Sequence, residues 1–142
     1  MTTQAYLGQL RNIDFEIKSI CTEEKSLRDI ATNMHKNIDD ILVDKSPNPG
    51  RMEDMVIRII DREKKACDRR DRLIETKLHI EDQIKGMENR FYYMLLWLSY
   101  HDDKRLYEIA HMINYSPKHA KRKIREAENA FEKKYGAEYA EK

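Results

Sequence analysis

Residues 6–20, YLGQLRNIDFEIKSI, place an apolar side chain at every third or fourth position, which is the spacing of one helix face. The spacing continues to Ile41, and only Glu24 interrupts it. A helix of about 40 residues with so narrow an apolar stripe needs a partner helix, as in a coiled coil. The stripe consists of Tyr6, Leu10, Ile13, Ile17, Ile20, Leu27, Ala31, Met34, Ile38 and Ile41.

A second stripe of the same spacing follows a strong helix breaker, SPNPG at residues 46–50. Its prolines remove backbone donors and disfavour helix at the residues before them. Charged residues occupy three positions of this second stripe, Glu63, Arg70 and Lys77. Because unpaired charges are costly in a dry core, we expect open or splayed packing there. A short breaker favours antiparallel neighbours, so residues 1–86 are predicted to form a long, coiled-coil-like helical hairpin.

The C-terminal third has a different composition. Aromatic and aliphatic residues are concentrated between residues 91 and 100, which predicts a compact core. A short amphipathic helix is expected at residues 106–113, after an N-cap at Asp103. Asn114 tolerates a left-handed turn, and the Ser-Pro pair that follows at residues 116–117 is typical of an N-cap and the first residue of a helix. Two short helices joined by a tight turn predict a helix-turn-helix.

The last helix is predicted to run from Pro117 to Tyr135 and to stop at Gly136, with residues 137–142 fraying. The helix-turn-helix domain then covers residues 87–136 and follows the hairpin. With two valines, four glycines and three prolines, the chain lacks the residues of a β-sandwich, barrel or doubly wound sheet. The predicted fold class is therefore all-α.

The charges of the chain are distributed unevenly. Twenty-seven basic residues nearly cancel 26 acidic ones, which excludes a generically basic, histone-like protein. Residues 116–125 nevertheless hold five cations and no anion. In a major groove, such a helix offers Arg and Lys to guanine acceptors and to phosphates, so we predict contact with double-stranded DNA. The candidate contact residues are Ser116, Lys118, His119, Lys121, Arg122 and Arg125.

Residues 106–124, LYEIAHMINYSPKHAKRKI, resemble the helix-turn-helix of sigma factor region 4. With its EIA triplet at 108–110 and the Asn-Tyr-Ser turn at 114–116, the whole chain also resembles the phage and prophage late-transcription activators related to ArpU and RinA. One departure is Lys123, where the sigma pattern has an apolar residue, with Ile124 next to it. This leaves open which of the neighbouring cations would face bases.

The resemblance implies a transcriptional regulator of phage or prophage genes that reads promoter or operator DNA in the cytoplasm of a bacterial host. It also implies RNA polymerase as a further partner. The helical hairpin would join copies into a homo-oligomer, and we expect no membrane partner because no apolar run approaches the ~20 residues of a membrane span.

Two other functions remain open at this stage. A phage packaging protein similar to a small terminase subunit also joins a DNA-binding helix-turn-helix to oligomerising helices, and a protein-binding inhibitor could use the coiled coil as its binding surface. An enzyme is not expected, because the sequence has no catalytic constellation, and its five histidines lack HxxxH spacing. We therefore predict no metal site and no cofactor.

Overall fold

The computed structural model describes residues 1–43 and 49–140, and their side chains at residues 1–33 and 50–140. The predicted all-α class is confirmed, and the described ranges contain no strand. The helices are α1 (Thr3–Val43), α2 (Pro49–Lys85), α3 (Arg90–Leu96), α4 (Leu106–Ile113) and α5 (Pro117–Tyr139), and a π-helical turn (Trp97–His101) continues α3. Of the predicted breaker, residues 46–48 lie outside the described residues, and α2 begins with Pro49 and Gly50.

The contacts divide the chain into two compact units. The terminal unit combines Met1–Asp14 with Glu75–Lys142, and the central unit is Phe15–Ile74. This division differs from the predicted boundary at residue 86. The first turns of α1 and the last turns of α2 contribute to the core around the C-terminal helices, as the hydrogen bond of 2.6 Å from the Tyr6 hydroxyl to Gln83 Oε1 illustrates.

In the central unit, α1 and α2 run antiparallel and are joined by ion pairs. Glu24, only 3% exposed, accepts hydrogen bonds from Arg70 Nη1 at 2.7 and 3.0 Å, and Arg28 Nε lies 3.0 Å from Glu63 Oε1. Where open packing was expected, Glu63 and Arg70 each find an opposite charge on α1, and their side chains remain 35% and 28% exposed. Pairing offsets part of the cost of placing a charge beside the apolar seam.

The core of the terminal unit is apolar and includes Phe131, which is fully buried in α5. The fully buried side chains around it come from α1, α2, α3 and α4. They are Leu7, Ile80, Ile84, Leu95, Leu96 and Ile109. Because all five helices supply core residues, the last helix is held on several sides rather than against one neighbour.

The end of α5 differs from the prediction. The helix passes through Gly136 and continues to Tyr139, so the predicted stop at Gly136 and the frayed tail were wrong for residues 137–139. Residues 141–142 lie outside the described residues. The cause is tertiary: Tyr139 is 2% exposed, stacks on Tyr6 with ring centroids 4.2 Å apart, and its hydroxyl lies 2.7 Å from Thr3 Oγ1. This packing outweighs the weak helix preference of one glycine.

Two short connections position the C-terminal helices. Gly86 follows the end of α2, its carbonyl accepts a hydrogen bond of 2.6 Å from Lys134 Nζ, and a Cβ at this position would lie 2.5 Å from the Tyr135 hydroxyl. Asp103 has a positive φ of 50° and lies 3.2 Å from Arg11 Nε. It is not the N-cap of α4, because Arg105 takes that place with no side-chain cap.

Candidate nucleic-acid interface

The start of α5 is fixed by three consecutive turn residues. Asn114 is left-handed (φ 59°, ψ 38°), which reverses the chain after α4, and the Tyr115 amide donates to the Ala110 carbonyl at 2.9 Å. Ser116 Oγ accepts a hydrogen bond of 3.2 Å from the His119 amide, and Pro117 is the first helical residue. These local features match the sequence prediction for the turn, and they give α5 a defined first turn.

Small and apolar side chains fix which face of α5 is buried. Ala120, Ala127 and Phe131 are fully buried, and Ile124 is half-buried. On α4, Ala110 is 2% exposed, so its small side chain allows the two helices to pack closely. The opposite face of the first turns of α5 is thereby left to solvent.

The six predicted contact residues lie together on this solvent face. Ser116, Lys118, Lys121, Arg122 and Arg125 are exposed, while His119 is half-buried and stacks on Tyr115 with centroids 4.4 Å apart. All six line one shallow depression of about 520 Å³. We name this surface the α5 basic face.

The cations of the α5 basic face are not neutralised within the chain. In the ranges that the structure describes, none of Lys118, Lys121, Arg122 and Arg125 forms an ion pair. Acidic residues are absent from the first turn of α5, and the positive end of the helix dipole lies there. Clustered cations are unfavourable at that end of a helix, so a bound anion would relieve their repulsion.

Lys123 behaves differently from these four cations. Its side chain is half-buried, and its Nζ lies 3.2 Å from Glu126 Oε2. Glu126 also lies 3.4 Å from the Tyr92 hydroxyl of α3. Lys123 therefore binds a carboxylate inside the chain, beside the half-buried Ile124, and the exposed positions 121 and 122 are the ones left to face a partner.

Sequence reasoning missed a groove next to the α5 basic face. This groove of about 340 Å³ is lined by Lys121 and Arg125 of α5 and also by Arg11 and Lys104, which come from α1 and from the connection before α4. No local sequence pattern marks these two residues as part of a basic groove, because Lys104 follows two aspartates and Arg11 lies 93 positions before Lys104. The lining also includes one acidic side chain, that of Glu128.

The buried carboxylate of Glu128 is the acidic group of that groove. It accepts a hydrogen bond of 2.6 Å from the Tyr100 hydroxyl and one of 3.2 Å from Gln4 Nε2. Burial, and then the hydrogen bond and the negative charge of Glu128, raise the pKa of Tyr100 above its ordinary value of 10.0. Glu128 is thus occupied by internal partners. Arg11 pairs with Asp103, so the cations of the groove without an ion pair in the described ranges are Lys104, Lys121 and Arg125.

No metal-binding constellation occurs in the described ranges: no group of three or more His, Cys, Asp or Glu side chains there could hold an ion. His101 stacks on Trp97 at 3.9 Å between centroids, and its ring nitrogens lie 3.1 Å from Glu81 and 2.9 Å from Asp102. None of the described helices has the length and apolar character of a membrane span.

Comparisons of the chain with protein-family models, with curated proteins and with solved structures gave no match. The resemblance to sigma region 4 and to the ArpU and RinA activators therefore stays a prediction from the residues quoted above.

Proposed function

We propose that this chain is a DNA-binding transcriptional regulator of phage or prophage genes and that α5 enters the major groove of promoter or operator DNA. The observation that carries the proposal is the α5 basic face: four exposed cations without an internal ion pair, on the first turns of a capped helix. Phosphate contacts would set the register of the helix, and contacts to base edges would select the sequence.

The connection between α4 and α5 supports this proposal. In a helix-turn-helix, the second helix offers its N-terminal half to base edges, and here that half carries the α5 basic face. Lys121 and Arg122 are adjacent and exposed, and Arg in particular can donate two hydrogen bonds to guanine.

The experiment is a fluorescence anisotropy titration of the full chain with two duplexes, the DNA upstream of its own gene and an unrelated sequence of equal length. The Lys121→Ala/Arg122→Ala variant is expected to lose more than ten-fold in affinity for the upstream duplex, because each good base or phosphate contact contributes about 1–3 kcal/mol. The ratio of the affinity for the upstream duplex to the affinity for the unrelated duplex should also fall towards one.

A matched control removes two positive charges elsewhere. Lys25 and Lys133 are exposed and lie outside the α5 basic face, so Lys25→Ala/Lys133→Ala should bind almost as the natural chain does. Equal losses in both double variants, or no loss in Lys121→Ala/Arg122→Ala, would refute the role of α5. If duplex DNA failed to bind and a protein partner were captured through the coiled coil, the inhibitor hypothesis would replace this one.

RNA polymerase is proposed as a second partner of the same regulator. α4 exposes two large side chains, Tyr107 at 74% and Met112 at 56%, which the core of the terminal unit does not use. Replacing both with serine should leave DNA affinity unchanged and reduce capture of purified polymerase. Unchanged capture would remove α4 as the polymerase contact.

A further inference from the structure

A second stripe of heptad spacing runs along α2 in the central unit. Each of its positions follows by one residue a position of the stripe that includes Glu63 and Arg70, which pair with α1, so the two stripes are about 100° apart around the helix. Three isoleucines of the second stripe are exposed, at 63%, 59% and 36%. The stripe, here named the α2 outer stripe, consists of Ile57, Ile60, Lys64, Cys67, Asp71 and Ile74.

The apolar positions of this stripe have the pattern of a helix interface. A helix with one partner usually has polar residues beside its apolar seam, because exposing apolar side chains to water is unfavourable. Ile57 and Ile60 instead stand three residues apart on the same face, and Ile74 continues the steps of three and four residues beyond the charged positions. This repeat indicates a second helix as the missing partner.

The charges of the stripe determine which helix can bind there. Lys64 precedes Cys67 by three residues and Asp71 follows it by four. When two copies of the stripe pair antiparallel about Cys67, Lys64 of each copy lies near Asp71 of the other, and Ile60 lies near Ile74. A parallel pair would place like charges opposite each other, which is unfavourable.

The contacts inside the chain leave these charges available. Lys64 is exposed, and no partner occurs for it in the described part of the chain. The Asp71 side chain is 60% exposed and has two long contacts, one of 3.5 Å with Arg70 and one of 4.0 Å from the Cys67 thiol. Both groups can therefore form an intermolecular ion pair without breaking a close internal one.

We propose that the α2 outer stripe binds the same stripe of a second copy of this chain in antiparallel orientation, with Cys67 next to the two-fold axis. Such an interface uses the same patch on both copies, so every favourable contact occurs twice. The inference rests on α2 alone and does not depend on DNA binding by α5.

The first experiment measures dimerisation of the full chain by light scattering over a concentration series. Lys64→Asp should raise the dimer dissociation constant at least about ten-fold, because two attractive contacts become repulsive. The swapped variant Lys64→Asp/Asp71→Lys should recover the natural affinity. Lys65→Asp, an equal charge change one residue away, is the control and should have little effect, since Lys65 pairs with Asp61 of its own helix.

The second experiment tests orientation with a short bis-maleimide in a Cys21→Ser/Cys67→Ser background. Chains carrying Ile60→Cys mixed with chains carrying Ile74→Cys should cross-link, and neither should cross-link to itself, because equivalent positions would lie about 21 Å apart along the pair. Self-linking of Ile60→Cys would overturn the antiparallel arrangement. A monomer at every concentration, or a dimer that tolerates Lys64→Asp, would overturn the interface and leave the proposal for α5 standing.

Discussion

The salt dependence of DNA binding gives a quantitative prediction for the α5 basic face. Each phosphate that a cation neutralises contributes roughly −0.9 to the slope of log affinity against log salt concentration. Four cations of this face, Lys118, Lys121, Arg122 and Arg125, are exposed and have no ion pair within the described ranges. If all four meet phosphates, the slope is about −3.6, and affinity falls roughly 150-fold when salt rises from about 50 to about 200 mM.

If Lys121 and Arg122 each neutralise a phosphate as well as contacting base edges, replacing both with alanine should halve that slope. The expected value is about −1.8, so the same rise in salt would weaken binding only about 12-fold. Anisotropy titrations at four or more salt concentrations, with one duplex and one buffer, measure both slopes. The Lys25→Ala/Lys133→Ala control should keep the natural slope. An unchanged slope in Lys121→Ala/Arg122→Ala would show that these side chains neutralise no phosphate, and a slope near zero in the natural chain would refute binding through this face altogether.

Three further predictions concern the stability of the fold. Phe131→Ala should cost about 3–5 kcal/mol in urea unfolding, because the ring is fully buried, whereas a comparable loss in the exposed Tyr107→Ala would contradict the assigned core. The pKa of Tyr100 is raised in the folded chain, so the unfolded chain loses this proton at lower pH. The contribution of Tyr100 to the free energy of unfolding is therefore fully present below pH 10, the ordinary pKa, and decreases as the pH rises above it. The decrease should be smaller in Tyr100→Phe, and an identical pH profile of the two chains would exclude this contribution. Arg70→Leu should lower the melting temperature measured by circular dichroism, because it leaves the buried Glu24 carboxylate without its Arg70 partner. Adding Glu24→Leu removes that carboxylate and should restore the melting temperature. A double variant no more stable than Arg70→Leu would refute this account of the seam.

The junction between α4 and α5 could be predicted because its chemistry is local. Asn114 supplies the left-handed turn, Ser116 the cap and Pro117 the first helical residue, and all three act within four positions of each other. The composition of α5 likewise located the exposed cations, because a helix with small and apolar residues on one face must turn the other face outward.

The features that sequence reasoning missed depend on distant partners. Gly136 is a helix terminator by preference, but Tyr139 beyond it is buried against Tyr6. Asp103 has the residue type of an N-cap, but Arg11 binds its carboxylate. The ion pairs of Glu63 and Arg70 could not be predicted, since nothing in the sequence of one helix shows which opposite charge the other presents.

The hydroxyl contact between Thr3 and Tyr139 joins residues 136 positions apart. The entropic cost of closing a loop grows only with the logarithm of its length, so this long loop adds little to the free energy of folding. The long separation does delay the encounter between the two ends of the chain during folding. During refolding from denaturant, the beginning of α1 has to wait for the last turn of α5. Because this contact forms late, Tyr139→Phe should raise the unfolding rate and leave the refolding rate almost unchanged, and a slower refolding rate would show that the two ends meet early.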